Sequence, residues 1–189
     1  GGPGASSIAY GDFTLIGPKD ISNNDRPSTW LQHTDIVFID NPVGTGFSYV
    51  DNNDAYTTDM EQVVKDLLAW LKDFLIKYPM YRTRPFHIFG ESYGGKWTVE
   101  FARILYEAIQ QGEVNMTHFK GVGLGNASFS CIDFVNSYGT YLHGKSLLNY
   151  YQMQEVNGKA RRCQKLVKKS LWWEVVQCND KVHQLITKV

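Results

Sequence analysis

The segment Gly90-Glu91-Ser92-Tyr93-Gly94 constrains this chain more than any other, because it joins two runs of different periodicity. Pro85-Phe86-His87-Ile88-Phe89 before it reads as a strand, and the run beginning Gly95-Lys96-Trp97 reads as a helix. A serine exposed on a sharp strand-to-helix turn occupies a strained backbone position, and small neighbours let the strand and helix approach closely. Gly90 and Gly94 are expected to supply that clearance. The pattern is that of a nucleophile elbow with Ser92 as the nucleophile.

A second element complements the first. The chain opens with Gly1-Gly2-Pro3-Gly4-Ala5-Ser6-Ser7, a glycine-rich segment able to present backbone N–H groups to an oxyanion. Acyl transfer on an α/β-hydrolase frame uses two such donors. One comes from the residue after the nucleophile, here Tyr93, and the other from an earlier glycine-rich loop, here Gly2.

Between and around these motifs the pattern alternates. Asp35-Ile36-Val37-Phe38-Ile39 is expected to be a buried strand. An amphipathic helix is expected from about Thr58 to Tyr78, with Met60, Val63, Val64, Leu67, Leu71, Phe74 and Leu75 inward, started by the capping-box spacing of Thr58 and Glu61 and stopped by Pro79. The Phe86 strand, a helix from Lys96 to about Gln110 ended by Gly112, and a strand from Phe119 to Leu124 come next. Strand, helix, strand, helix, strand is the doubly wound α/β pattern. Helices are then expected at 138–151, 159–177 and 180–189, giving a core at 1–137 and a helical portion at 138–189.

With 189 residues, 43% of them hydrophobic, the chain is long enough to bury one sizeable core. Its longest apolar run, Leu67 to Leu71, is far too short to span a bilayer. A formal net charge of zero argues against a dedicated nucleic-acid binder. Lys159, Arg161, Arg162, Lys165, Lys168 and Lys169 cluster, but Cys163, Leu166, Val167 and Leu171 interleave them as on the solvated face of an amphipathic helix. The spacing of Cys131, Cys163 and Cys178 gives no zinc site. A bridge between Cys163 and Cys178 and a set of reduced, buried thiols both fit, and Cys131 has the further option of a partner outside this chain. Of the sequons Asn115-Met116-Thr117 and Asn126-Ala127-Ser128, only the first reads as a glycan site, since Asn126 directly follows a core strand.

Taken with Asp40-Asn41-Pro42-Val43-Gly44-Thr45-Gly46-Phe47-Ser48-Tyr49 and Gly123-Leu124-Gly125-Asn126, these segments resemble the serine carboxypeptidase family, and most closely its retinoid-inducible branch. The resemblance extends to about Leu148. It implies an incomplete α/β-hydrolase sheet with the start of a helical lid, a secreted or lysosomal/vacuolar setting, a peptide or protein substrate with a free carboxyl end, and no metal or organic cofactor. It assigns the substrate carboxylate to Gly1 and Glu91. A protonated Glu91 would donate to that carboxylate, which favours binding at acidic pH; the plainer reading is that Glu91 caps the elbow helix. The second glutamate with which the family shares that proton is absent: Thr14 or Leu15 stands in its place, with Asp12 the nearest acid. Ala5 replaces the family's usual loop-anchoring cysteine, which leaves the glycine run to be positioned by packing alone. Tyr10, Phe47 and Tyr49 read as core more readily than as pocket.

Ser92 needs a base to take its proton, and in this fold serine, acid and histidine occur in that order along the chain. His118, His143 and His183 come after Ser92 but read as surface or loop residues, and His87 as a sheet residue. The acid and histidine are therefore expected beyond Val189, and a sheet portion before Gly1, so that the chain is a fragment with little activity of its own. The expected function is removal of residues from the carboxyl end of peptides. An acyltransferase or esterase with the same serine, and a noncatalytic binding protein of the same fold, are the alternatives.

Overall fold

Apolar residues spaced three and four apart put Val63, Val64, Leu67, Leu71 and Leu75 on one buried face of helix α1 (Met60–Lys77). The helix begins one residue later than the Thr58 signal suggested. Asp59 is the cap, its Oδ1 accepting from Gln62 N at 2.9 Å, while Gln62 Oε1 accepts from Thr58 N at 2.9 Å. Gln62 thus reaches back to the residue before the cap, and the box expected of Thr58 and Glu61 does not form. Glu61 instead pairs with Lys65 along the exposed surface.

This computed structural model describes residues 5–187, and the chain divides between Phe129 and Ser130 into two units. In the first, strands β1 (Phe86–Glu91) and β2 (Phe119–Gly125) pair in parallel, with Ile88 opposite Val122 and Glu91 opposite Gly125. Helix α2 (Gly94–Gln110) makes the crossover between them. Leu71 and Leu75 of α1 meet Phe101, Leu105 and Ala108 of α2, with Val114 and Met116 from the α2–β2 connection, in one core against which Phe86, Ile88 and Phe119 pack. Alternate residues of the strands, His87, Phe89, Glu91, Lys120, Val122 and Leu124, are exposed. A parallel sheet is normally covered on both faces. Among the described residues helices cover one face, and the other carries an edge-on contact of Trp30 with Phe89, centroids 4.8 Å apart, as befits an incomplete α/β sheet.

The expected strand at Asp35–Ile39 does not form among the described residues. The segment is held by side chains in place of a ladder: Asp35 Oδ2 takes Arg84 Nη1 at 2.9 Å and Tyr81 Oη at 3.1 Å, and Ile39 packs against the core. Val37 is half exposed, so the run is not buried as its composition suggested.

The second unit is helical: α3 (Cys131–Gly144), α4 (Tyr150–Val167) and α5 (Trp172–Ile186). Val135, Leu148, Val156, Ala160, Cys163 and Val182 form its core. Gly139 lets α3 meet α4 closely, since a Cβ there would lie 2.1 Å from Asn157 Oδ1. The unit starts ahead of the boundary placed at 137, because the Ser130 hydroxyl bonds the Asp133 carboxylate as α3 opens. Asn149 and Gln152 close a reciprocal capping box that starts α4 where a helix end was expected. Within α4, Arg161, Arg162 and Lys165 are exposed and Cys163 is buried, the amphipathic arrangement read from their spacing, but the helix ends at Val167, so Lys168, Lys169 and exposed Leu171 lie beyond it. Cys163 and Cys178 are joined by a disulfide between α4 and α5, and Cys131 is an exposed free thiol. No helix of the described residues is long and apolar enough to cross a membrane.

This packing can be tested by stability. Leu71 is 0% exposed, so Leu71→Ala is expected to lower the unfolding free energy of the complete protein by about 2–5 kcal/mol in urea titration. The disulfide closes a sequence separation of 15 residues. Replacing both cysteines with alanine is expected to destabilise the helical unit by about 3 kcal/mol, read as earlier loss of amide protection in α4 and α5.

Candidate active site

Ser92 carries the backbone geometry that the elbow demands. Its φ is +51°, in the left-handed region that a residue with a Cβ adopts only when the surroundings enforce it. Three hydrogen bonds enforce it here. Ser92 N donates to Gly125 O at 2.9 Å, at the end of β2, and Ser92 O accepts from Ser128 N at 2.7 Å and Gly95 N at 3.1 Å. The hydroxyl is exposed and has no hydrogen-bond partner among the described residues.

The glycines beside it divide the work differently from the expectation. A Cβ on Gly90 would lie 2.1 Å from Thr98 Oγ1 and 2.7 Å from Gly94 O, so this position requires glycine. Gly94 has open space around its own Cβ direction, whereas a Cβ on Gly95 would lie 2.3 Å from the Ala127 methyl. The close approach that seats α2 therefore runs through Gly90 and Gly95, and Gly94 does not supply it.

Tyr93 is the N-cap of α2, and no side chain caps that end. Its N–H has no acceptor among the described residues, and the positive end of the helix dipole adds to its attraction for an anion. The Tyr93 ring is fixed by Trp97, centroids 5.0 Å apart, and by Lys96 Nζ at 4.4 Å over its face. Gly1 and Gly2, expected to complete the oxyanion and carboxylate sites, lie outside the described residues.

A buried carboxylate holds the chain just past the glycine run. Asp40 is 3% exposed. Its Oδ1 accepts from Ser6 Oγ at 2.7 Å and Ile8 N at 3.2 Å, and its Oδ2 accepts from Phe47 N at 2.9 Å. Ser6 Oγ in turn caps the π-helical segment Ser7–Ile16 by accepting from Ala9 N at 2.9 Å. The residues after Ala5 are therefore fixed by hydrogen bonds, while the glycine run expected to be positioned by packing alone lies outside the described residues. Burial on its own would raise the Asp40 pKa, but the donors from Ser6, Phe47, Ile8 and Ser7 together hold it below the ordinary carboxylate value. A carboxyl whose folded pKa is depressed stabilises fully above its unfolded pKa, and that stabilisation is lost as pH falls through the lowered value. The tether thus stays charged in mildly acidic surroundings. Asp40 stood in a recognisable motif, yet its role was not legible, since nothing in the sequence marks it as the one acid of its segment to be buried.

Glu91 ends β1 opposite Gly125 and is exposed, because that sheet face is open and Gly125 has no side chain to cover it. It makes no side-chain bond to the start of α2, which removes the capping reading. At the positions of the family's second glutamate, Thr14 Oγ1 donates back to Tyr10 O at 2.6 Å and Leu15 is half exposed. Asp12 is aimed at Gly17, where an added Cβ would meet its Oδ1 at 1.9 Å. Tyr10, Phe47 and Tyr49 are exposed, so the core reading of all three fails. They flank the turns that Asp40 draws together, and turn residues have no second layer to bury them.

The histidines are engaged elsewhere. His118 Nδ1 pairs with Thr117 Oγ1 at 2.6 Å, His143 Nδ1 with Leu148 O at 2.9 Å, and His183 stacks edge-on with Tyr138 at 5.4 Å. His87 lies on the open face of β1 beside Phe89. None bonds the Ser92 hydroxyl.

Comparison with known proteins agrees with this geometry. The family profile described as serine carboxypeptidase matches residues 1–189. The chain is 43% identical over 188 residues to the retinoid-inducible serine carboxypeptidase of Mus musculus, covering 100% of this chain and 41% of that protein. It is 36% identical over 153 residues to the vitellogenic carboxypeptidase of Aedes aegypti, covering 79% of this chain and 31% of that protein. The solved structure of KEX1(delta)p, a prohormone-processing carboxypeptidase from Saccharomyces cerevisiae, superposes with a TM-score of 0.78 at 24% identity, covering 98% of this chain and 42% of that one. The chain thus spans about two fifths of the length of the retinoid-inducible relatives it matches. The strained serine between β1 and α2, the uncapped helix end behind it and the match along all 189 residues lead to one assignment: this chain belongs to the serine carboxypeptidase family.

Proposed function

We propose that the complete protein carrying this chain is a serine carboxypeptidase that removes residues from the carboxyl end of peptides through an acyl-enzyme on Ser92. The observation that carries the reading is the left-handed backbone of Ser92 above an uncapped helix N-terminus. Ser92 Oγ attacks the carbonyl carbon of the last peptide bond. Its proton passes to a histidine supplied by chain outside these 189 residues and then to the departing amine as the C–N bond breaks. The N–H groups of Tyr93 and Gly2 stabilise the oxyanion. Water then hydrolyses the ester and regenerates Ser92. Glu91 and Gly1 are the residues that receive the substrate's terminal carboxylate in this reading.

The setting proposed for this chemistry is secretory, with delivery outside the cell or to a lysosome or vacuole. The disulfide between α4 and α5 supports it, and so does the surface placement of one sequon. Val114 and Met116 are buried on either side of Asn115, which directs Asn115 outward beside exposed Thr117. Asn126 sits at φ +43° behind the elbow, followed by buried Ala127.

Two results are expected. A fluorophosphonate probe labels the complete protein at Ser92, found by peptide mapping, and Ser92→Ala abolishes both labelling and peptide turnover; labelling that survives the substitution would contradict the assignment. Protein from a secretory host carries an N-glycan at Asn115 and none at Asn126, so that Asn115→Gln removes the whole mass shift released by endoglycosidase. Asn126 is exposed, but its sequon runs through Ala127, which is buried, and Ser128, whose N–H is bonded to Ser92 O.

A further inference from the structure

Asp40 is a buried charge that the proposed chemistry does not use. Its bonds cross the first unit: Ser6 and Ile8 lie 34 and 32 residues before it, and Phe47 lies 7 after it. All these donors are neutral, and three donors on one carboxylate offset the cost of burying it without a cation. The turn on the other side is shaped around the same group. Gly46 has φ +53°, and a Cβ there would lie 2.0 Å from Asp40 Oδ2. Gly44 has φ +85°, where a Cβ would lie 2.2 Å from Tyr56 Cε1. Ser48 Oγ closes the turn by donating to Asp40 O at 2.6 Å, and Gly44 N donates to Ser48 O at 2.9 Å.

The sequence of this chain makes the tether more consequential. Ala5 offers no sulfur for a covalent anchor, and Ser6 is the first residue after it that can be held by its side chain. The Asp40 to Ser6 bond is thus a fixed point only a few residues from Gly2 along the chain. A backbone donor must sit within a few tenths of an ångström of the developing oxyanion to act, and such precision comes from neighbours that lock it.

The geometry points to Asp40 as a positioning residue for acylation: its carboxylate fastens Ser6 and Ile8, just past the glycine run, to the 41–48 turn, an inference that rests on the carboxypeptidase reading of Ser92. It touches no reacting atom. Its removal is therefore expected to slow acylation while leaving substrate binding nearly intact.

The test uses the complete protein with Asp40→Ala, Asp40→Asn and Ser6→Ala, assayed on a peptide with a free carboxyl end well below each variant's melting temperature. Asp40→Ala is expected to lower kcat by about 10- to 100-fold, the scale of a misplaced reacting group, with KM changed less than about twofold. Asp40→Asn keeps one acceptor oxygen for Ser6 and is expected to recover part of that loss. Ser6→Ala removes a single bond and is expected to lower kcat by about fivefold. A kcat for Asp40→Ala within twofold of the parent, or a loss expressed wholly in KM, would overturn the inference. If Asp40→Ala does not fold, Ser6→Ala decides by the same readings. If the parent protein neither turns over peptide nor accepts a fluorophosphonate, the carboxypeptidase reading fails; hydrogen exchange at the Phe47 amide in Asp40→Asn, which loses its Oδ2 acceptor, then decides the tether alone, unchanged protection overturning it.

Discussion

The first unit depends on holding a serine in a conformation it would not adopt by itself. A left-handed non-glycine residue costs on the order of 1–3 kcal/mol, and Ser92 is kept there by bonds to three different places: the end of β2 through Gly125, the segment beyond it through Ser128, and the first turn of α2 through Gly95. Strand β2 and helix α2 are positioned by the core they share with α1, and the segment carrying Ser128 is seated by Ala127 against Gly95. The apolar packing is thus converted into the placement of one hydroxyl. An added methyl at Gly90 would meet Thr98 of α2, and one at Gly95 would meet Ala127 in the segment just past β2.

Asp40 holds the segment after the glycine run in a different way. It gathers donors from the segment after the glycine run and from the 41–48 turn onto one buried carboxylate. The two devices share a logic, since each uses backbone N–H groups from distant parts of the chain to fix a short irregular segment. They also differ in kind: the elbow is held by backbone alone, whereas the tether hangs on one ionisable side chain whose pKa is depressed.

The sequence was most informative where a residue type has one physical reason to be present. The elbow was legible from Ser92 and its flanks, and the end of α2 from Gly112, which takes φ +76° with Glu113 N bonding Ala108 O at 2.8 Å. The helices after residue 129 were misplaced because the same closure is made there by serine. Ser146 and Ser170 take φ +60° and +55°, with Leu147 N bonding Leu142 O and Leu171 N bonding Leu166 O, and serine gives no stop signal of the kind glycine gives. The segment at 35–39 misled for another reason. Its β-branched and aromatic residues favour a ladder, but Asp35 and Ile39 are held by side-chain contacts and no ladder forms among the described residues. The strained backbone of Ser92 was legible from its motif, whereas the burial of Asp40 was not, because it depends on donors more than thirty residues away.

An exopeptidase acting at a free carboxyl end must tell that end from a blocked one, and this is where the proposed function meets experiment most closely. The decisive measurement offers the complete protein two versions of one peptide, ending in a free carboxylate or in a carboxamide, and monitors release of the terminal residue by mass spectrometry. Stepwise shortening of the free-acid peptide is predicted, with at least about tenfold slower attack on the amide, the loss of one charge-assisted hydrogen bond. Equal cleavage of both, or cleavage at internal bonds, would contradict the carboxypeptidase assignment.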